Sequence, residues 1–218
     1  MKIVIWDWNG TLLDDLAISI EAMNILLSER RLPLLQTNYY KQVFTFPVKD
    51  YYQTIGFDFD TEPFEKPAIE YMDRYFELLP QAPLHKNTIA VLDWLKKHNI
   101  KQIIMSAMEQ SSLDKSVAAL GISSYFDAIC GCSNHYANGK VEQSLQMMRS
   151  QHIKPDEALL VGDTLHDSEV AQNIGCRCVL VAHGHQCAER LHTSGNAVVA
   201  DFKELIGWLE TSVNNCKM

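Results

Sequence analysis

Two short acidic stretches hold the residue types that can do chemistry. Asp7-Trp8-Asn9-Gly10-Thr11 leaves the apolar run Ile3-Val4-Ile5-Trp6, and Gly162-Asp163-Thr164-Leu165-His166-Asp167 leaves a second run, Ala158-Leu159-Leu160-Val161. Each places a carboxylate at the carboxyl end of a predicted strand, where an open α/β sheet binds its ligands. A carboxylate is ionised near neutral pH, so Asp7 can attack an electrophilic centre without a base. Its repulsion from an anionic substrate such as a phosphate calls for a hard cation with oxygen ligands, which acids at two strand ends can share. Read singly, Asp163 and Asp167 also suit the N-terminal cap of a helix.

The elements that must position these acids are legible as periodicity. Apolar runs at residues 3–6, 101–105, 127–130, 158–161 and 177–181 read as strands separated by helical patterns, which predicts a doubly wound, Rossmann-like parallel sheet covered by helices. Helices are expected over 111–120, stopping at Gly121, over 141–152, ahead of Pro155, and over 86–98 with Ile89, Leu92 and Leu95 facing the sheet. Between residues 14 and 84 no buried strand is seen. Leu16, Ile20, Met23 and Leu27 make one helical stripe ended by Pro33, and Ile69, Met72, Phe76 and Leu79 make another closed by Pro80. The expected organisation is therefore an α/β core of residues 1–13 and 85–218 carrying an inserted all-helical cap of residues 14–84. The linkers are the turn after Thr11 and the stretch 80–87. Twelve of the twenty aromatic side chains fall between Tyr39 and Phe76, bulky enough to fill a small bundle and leave some for substrate.

Composition narrows the function. With 218 residues the chain can bury a substantial core, and a net charge of −8 without a Lys/Arg-rich run argues against a nucleic-acid partner. No leader or membrane-length apolar segment is read, so the expectation is a soluble cytoplasmic protein with a small-molecule substrate. The sequence sets no oligomeric state. Cys130-Gly131-Cys132 and Cys176-Arg177-Cys178 are too closely spaced for the usual zinc pairs and read as packed thiols in strands.

The two acidic stretches, with their strand contexts, resemble the haloacid dehalogenase superfamily, and the chain as a whole resembles its helical-cap, phosphoglycolate phosphatase-like members; the residues of the insert itself carry no recognised motif. Two further elements follow in the family's order: the run Lys101-Gln102-Ile103-Ile104-Met105 ending in Ser106, and Gly139-Lys140 opening a helix. Leu120-Gly121-Ile122-Ser123-Ser124-Tyr125-Phe126-Asp127 and Ile153-Lys154-Pro155-Asp156-Glu157-Ala158 look like the family's connecting segments. The resemblance implies a magnesium-dependent phosphatase acting on a small phosphorylated metabolite through a phosphoaspartate on Asp7. It implies metal ligands at Asp7, the Asn9 backbone carbonyl and Asp163, with Asp167 in support. It implies phosphoryl contacts from Ser106 and Lys140, within a substrate-binding set that includes Gly10, Thr11 and Ala107. Ala107 stands where the family usually has Asn, so one polar contact is missing.

Asn9 departs from the family more seriously, because its phosphatases carry there an acid that protonates the leaving oxygen and activates water. A carboxamide cannot do this, and acid–base help is typically worth about a hundredfold to ten-thousandfold. Two readings stand side by side: a substrate with a good leaving group, such as a phosphoanhydride, acyl phosphate or aryl phosphate, or a proton supplied from elsewhere. A catalytically weak module that binds a phosphorylated ligand or a protein is an alternative. So is a dehalogenase, or a phosphonatase using a Schiff-base lysine from the cap, for which Lys41 and Lys49 are candidates, although neither is marked as desolvated. His183 and His185, after the last long strand, read as surface histidines of a loop.

Overall fold

The computed structural model of the chain describes residues 1–132, 140–150 and 152–215, with side chains 140–143 and 213–215 outside the description. It begins with β1 (Ile3–Trp6), then α1 (Leu16–Glu29), α2 (Thr37–Val43), α3 (Val48–Thr54) and α4 (Glu65–Leu78). Next come α5 (Thr88–Lys97), β2 (Lys101–Glu109), α6 (Gln110–Ala119), β3 (Ala128–Cys132), α7 (Lys140–Ser150), β4 (Ala158–Gly162) and α8 (Leu165–Ile174). The chain closes with β5 (Arg177–Val181), α9 (Ala188–Leu191), β6 (Ala197–Val199) and α10 (Phe202–Asn215). The strands form one parallel sheet in the order β3-β2-β1-β4-β5-β6.

Alternation along β1 sorts its residues between two cores. Val4 and Trp6 join Ile104, Val161 and Val179 beneath Val91, Leu92, Leu95 and Phe202 of α5 and α10. Ile3 and Ile5 join Ile103, Leu160 and Leu180 on the other face, under Met147 and Met148 of α7 and Val170 and Ile174 of α8. Burial on both faces explains why β1 and β4 read as uninterrupted apolar runs. Pairing of Trp6 with Val161 brings the ends of β1 and β4 to one edge, beside Ile104 of β2, and the strand order reverses between β1 and β4. A ligand crevice forms at such a switch point.

The sheet departs from expectation at one edge and along β2. β6 was not foreseen; three residues are too few to show a period, and it makes β5 an interior strand instead of an edge. The two Cys-x-Cys stretches remain far apart, with β2, β1 and β4 between β3 and β5. β2 continues through Ser106 to Glu109, with an irregular register against β3 after Met105.

The segment between β1 and β2 contributes α1 to α4 and its own apolar cluster, including Ile20, Met23, Leu27, Tyr40, Tyr51 and Tyr52. Its two connections run side by side, since Asp14 N–H donates to Pro83 O and His85 N–H to Leu12 O. α1 stops at Glu29, before Pro33 is reached, as the chain turns at Arg31 (φ +58°). The face of α4 is a correction: Ile69 and Met72 are exposed at 63% and 39%, while Pro67 and Tyr75 are buried. The tyrosine face turns inward because the Tyr75 hydroxyl has a buried acid to meet. Ile89 is likewise exposed at 43%, and Thr88 and Val91 take its place against the sheet beside Leu92 and Leu95. Among the described residues, no helix is long and apolar enough to cross a membrane.

Candidate active site

Asp7 extends the β1 ladder by one bond, its N–H donating to Val161 O at 2.9 Å, so its side chain emerges beside the end of β4. There Asp7, Asp163 and Asp167, all buried, each offer a carboxylate oxygen, and these oxygens lie within 4.8 Å of one another. Asp167 also closes a capping box on α8: its Oδ2 accepts the N–H groups of Asp163 (3.2 Å) and Thr164 (3.0 Å) and the Thr164 hydroxyl (2.8 Å). The capping role and the acid cluster therefore coexist in one side chain. Burial, followed by the neighbouring Asp167, pushes the Asp163 carboxyl up to about 6 despite the offset from His185. Three converging carboxylates in a water-poor site are a donor set of hard oxygens, which suits a cation of the magnesium type.

Of the remaining residues singled out, several are committed inside the fold. Thr11 is fully buried and its hydroxyl donates to Asp163 Oδ1 at 2.9 Å, bracing that acid. Gly10 takes φ +71° and its N–H donates to Leu13 O (3.0 Å) and Asp15 Oδ1 (2.7 Å). A Cβ there would run into Asp163 and His185, so only glycine lets the turn close. Ser106 is buried within β2, with Oγ accepting the Met108 N–H at 3.1 Å, and Ala107 is exposed. Lys140 opens α7, its side chain outside the described residues.

Asn9 sits in a network the sequence did not reveal. Its Nδ2 donates to Asp15 Oδ2 at 3.0 Å and to the Tyr75 hydroxyl oxygen at 2.6 Å, and Tyr75 in turn donates to Asp15 Oδ2 at 2.7 Å. Both amide hydrogens are thus used, and the carboxamide oxygen is the remaining polar atom. Asp15, 2% exposed at the start of α1, also meets His185 Nε2 at 3.1 Å. Burial would raise the Asp15 pKa, but His185 and the donors Tyr75 and Asn9 bring it below the usual value. Burial would lower that of His185, yet Asp15 and then Asp163 hold it up at about 9, which favours the charged ring. Its Nδ1 shares a hydrogen bond with the Tyr40 hydroxyl at 2.9 Å, and its backbone N–H donates to Asp163 Oδ2 at 2.6 Å.

The surface reading of both histidines is overturned. His185 is 6% exposed, and His183 stacks on His85 with ring centroids 3.8 Å apart while bonding Thr11 O at 3.1 Å. Gly184 permits the approach, since a Cβ there would meet Asp163 and the Gly10 carbonyl. Lys41 is also corrected: burial lowers its pKa, and its amine donates to Ala182 O at 2.8 Å. Lys49 is exposed, near the Phe59 ring. Two more bonds fasten α2 to the sheet side, both to Phe44 O, from Gln186 Nε2 (2.9 Å) and Arg190 Nη1 (2.6 Å). Sequence reasoning does not single out Asp15; the available signal is an acid before an apolar helix, and its side chain makes no capping bond.

A model of the haloacid dehalogenase-like hydrolase family matches residues 4–181. The chain is similar to the N-acetylmuramic acid 6-phosphate phosphatase of Pseudomonas putida, 24% identical over 189 residues that cover 85% of this chain and 84% of that protein. It is similar to the phosphoglycolate phosphatase of Aquifex aeolicus, 26% identical over 195 residues covering 85% and 86%. In fold it is similar to a haloacid dehalogenase-like hydrolase from Streptococcus pneumoniae, with a TM-score of 0.82 at 20% identity over 96% of this chain and 98% of the other.

Proposed function

Because the chain belongs to the haloacid dehalogenase-like hydrolase family, we propose that it is a magnesium-dependent phosphatase of a small phosphorylated metabolite, acting through a phosphoaspartate on Asp7. The observation that carries this reading is the convergence of Asp7, Asp163 and Asp167 at the sheet's switch point. Asp7, the Asn9 carbonyl and Asp163, with Asp167 in support, would hold the magnesium, whose charge offsets that of the phosphoryl oxygens. Thr11 and the His185 backbone N–H, both bonded to Asp163, keep that carboxylate in place.

In the first half-reaction an Asp7 oxygen bonds to phosphorus as the bond to the leaving oxygen breaks, and the electron pair departs with that oxygen. In the second, water attacks phosphorus, and Asp7 is released with inorganic phosphate. Ser106 and Lys140 hold phosphoryl oxygens in both. The Asn9 side chain, with both hydrogens donated to Asp15 and Tyr75, presents an acceptor and no acid. Its oxygen can orient the attacking water but cannot protonate a leaving alkoxide, which favours substrates whose leaving group departs as an anion. Residues 1–13 and 85–218 serve as the core and 14–84 as the cap that shields the site from water, as lids commonly do.

The test is phosphate release from an aryl phosphate with magnesium, with metal chelated, and in Asp7→Asn. Wild type should turn over only with the metal, and the variant should fall to about a thousandth or less. Equal slow release by wild type and variant would leave a binding module as the better reading.

A further inference from the structure

Within the helical insert is a partly enclosed cavity of about 190 Å³. Of its lining residues, Ser19 and Met23 stand one and two turns along α1 from Asp15, and Tyr71 and Ala68 stand one and two turns along α4 from Tyr75. Asp15 and Tyr75 are the pair that holds the Asn9 amide. The cavity's exposed members are Val48 and Met72, and Phe46, just before Val48, packs its ring against His166 of the Asp163 segment, centroids 4.9 Å apart.

The walls are aromatic. Tyr51 meets Tyr40, Phe44 and Tyr52 edge to face, with centroids 5.3 to 5.8 Å apart. Tyr51 is 2% exposed, and its hydroxyl has no hydrogen-bond partner among the described residues. Buried hydroxyls are almost always paired, to protein, water or ligand, so this one is open to a bound polar group. An apolar cavity of roughly 150 Å³ takes up benzene, so this space admits one substituted ring.

We propose that the cavity receives an aromatic leaving group whose polar substituent bonds the Tyr51 hydroxyl, making the substrate an aryl phosphate; this rests on the phosphatase reading above. The P–O bond to the ring oxygen breaks as the Asp7–phosphorus bond forms, and the electron pair stays on the aryl oxide, which later takes a proton from solvent. An aryl oxide is a weak enough base to leave without an acid, in keeping with the carboxamide at position 9.

The ring site is tested without catalysis, by calorimetric binding of 4-nitrophenol to wild type, to Ala68→Leu, which fills the cavity, and to Tyr51→Phe, which removes the orphan hydroxyl. Each variant should weaken binding roughly tenfold. Absence of binding, or equal affinity in all three proteins, overturns the proposal. Turnover of 4-nitrophenyl phosphate and of acetyl phosphate, a good leaving group without a ring, separates the two levels. Ala68→Leu should lower kcat/KM for the aryl substrate relative to acetyl phosphate by roughly tenfold. Magnesium-dependent hydrolysis of acetyl phosphate with no 4-nitrophenol binding removes the cavity and keeps the phosphatase. Binding of 4-nitrophenol with neither phosphate hydrolysed keeps a ring site, removes the phosphatase, and overturns the leaving-group assignment.

Discussion

Asn9 and Asp15 are coupled, and the coupling can be measured. Replacing Asn9 with Asp would turn a 3.0 Å amide-to-carboxylate hydrogen bond into two facing carboxylates, beside a Tyr75 hydroxyl that already donates to Asp15. At about 4 Å and an effective dielectric constant of about 20, such a pair repels by about 4 kcal/mol. That corresponds to about three pKa units, so the pair would retain one proton in the fold up to about pH 7, whereas both acids ionise near pH 4 when unfolded. The folded state then binds the extra proton between these values, and the variant loses stability as pH rises from about 4 to 7. Urea and thermal unfolding at pH 8 should show Asn9→Asp destabilised by about 2 to 4 kcal/mol, roughly 10 °C in Tm for a chain of this size. Near pH 4.5 the deficit should largely vanish. The charge-conserving swap Asn9→Asp with Asp15→Asn restores one carboxylate facing one carboxamide. It should be less destabilised than the sum of the single changes by about 2 to 4 kcal/mol. The swap also puts an ionisable acid at position 9, so alkyl monoester hydrolysis should rise about a hundredfold or more. Additivity within about 0.5 kcal/mol, or an Asn9→Asp protein as stable as wild type at pH 8, would refute the argument.

Two other perturbations follow from the same site. Burial, then the stacked His85, lower the His183 pKa to about 3, so the ring stays neutral in the fold while the unfolded chain takes up a proton below about pH 6.5. Stability should therefore fall as pH drops, with this ring contributing up to about 2 kcal/mol between pH 7 and pH 5, and His183→Leu should remove that part of the slope in urea titrations. Gly10→Ala should cost about 2 kcal/mol or more, through φ +71° and the approach of Asp163 and His185, with metal affinity weakened in parallel in calorimetry.

Much of the sheet domain is local in character, which is why it is readable from the chain. The interior strands β1 and β4 are buried on both faces, so their residue types show without tertiary knowledge, and the acids that end them stand out by contrast. β6, at three residues, carries no period to detect. The choice of face on α4 was not local: Ile69 and Met72 look apolar enough to be buried, but Tyr75 turns inward because Asp15 lies opposite to receive its hydroxyl.

The sequence by itself determined the open α/β sheet, the helical insert and the presence of Asp7 and Asp163 at strand ends, because strand periodicity and the break to polar residues are properties of a few neighbours. Tertiary structure alone decided that Asp15, Tyr75, Tyr40 and His185, from four separated segments, would join Asn9 in one hydrogen-bonded network. It also decided that a histidine in a polar loop would be buried, with Asp15 and Asp163 raising its pKa. Charge state and hydrogen-bond partnership depend on what folding brings within a few ångströms, and no spacing along the chain encodes that.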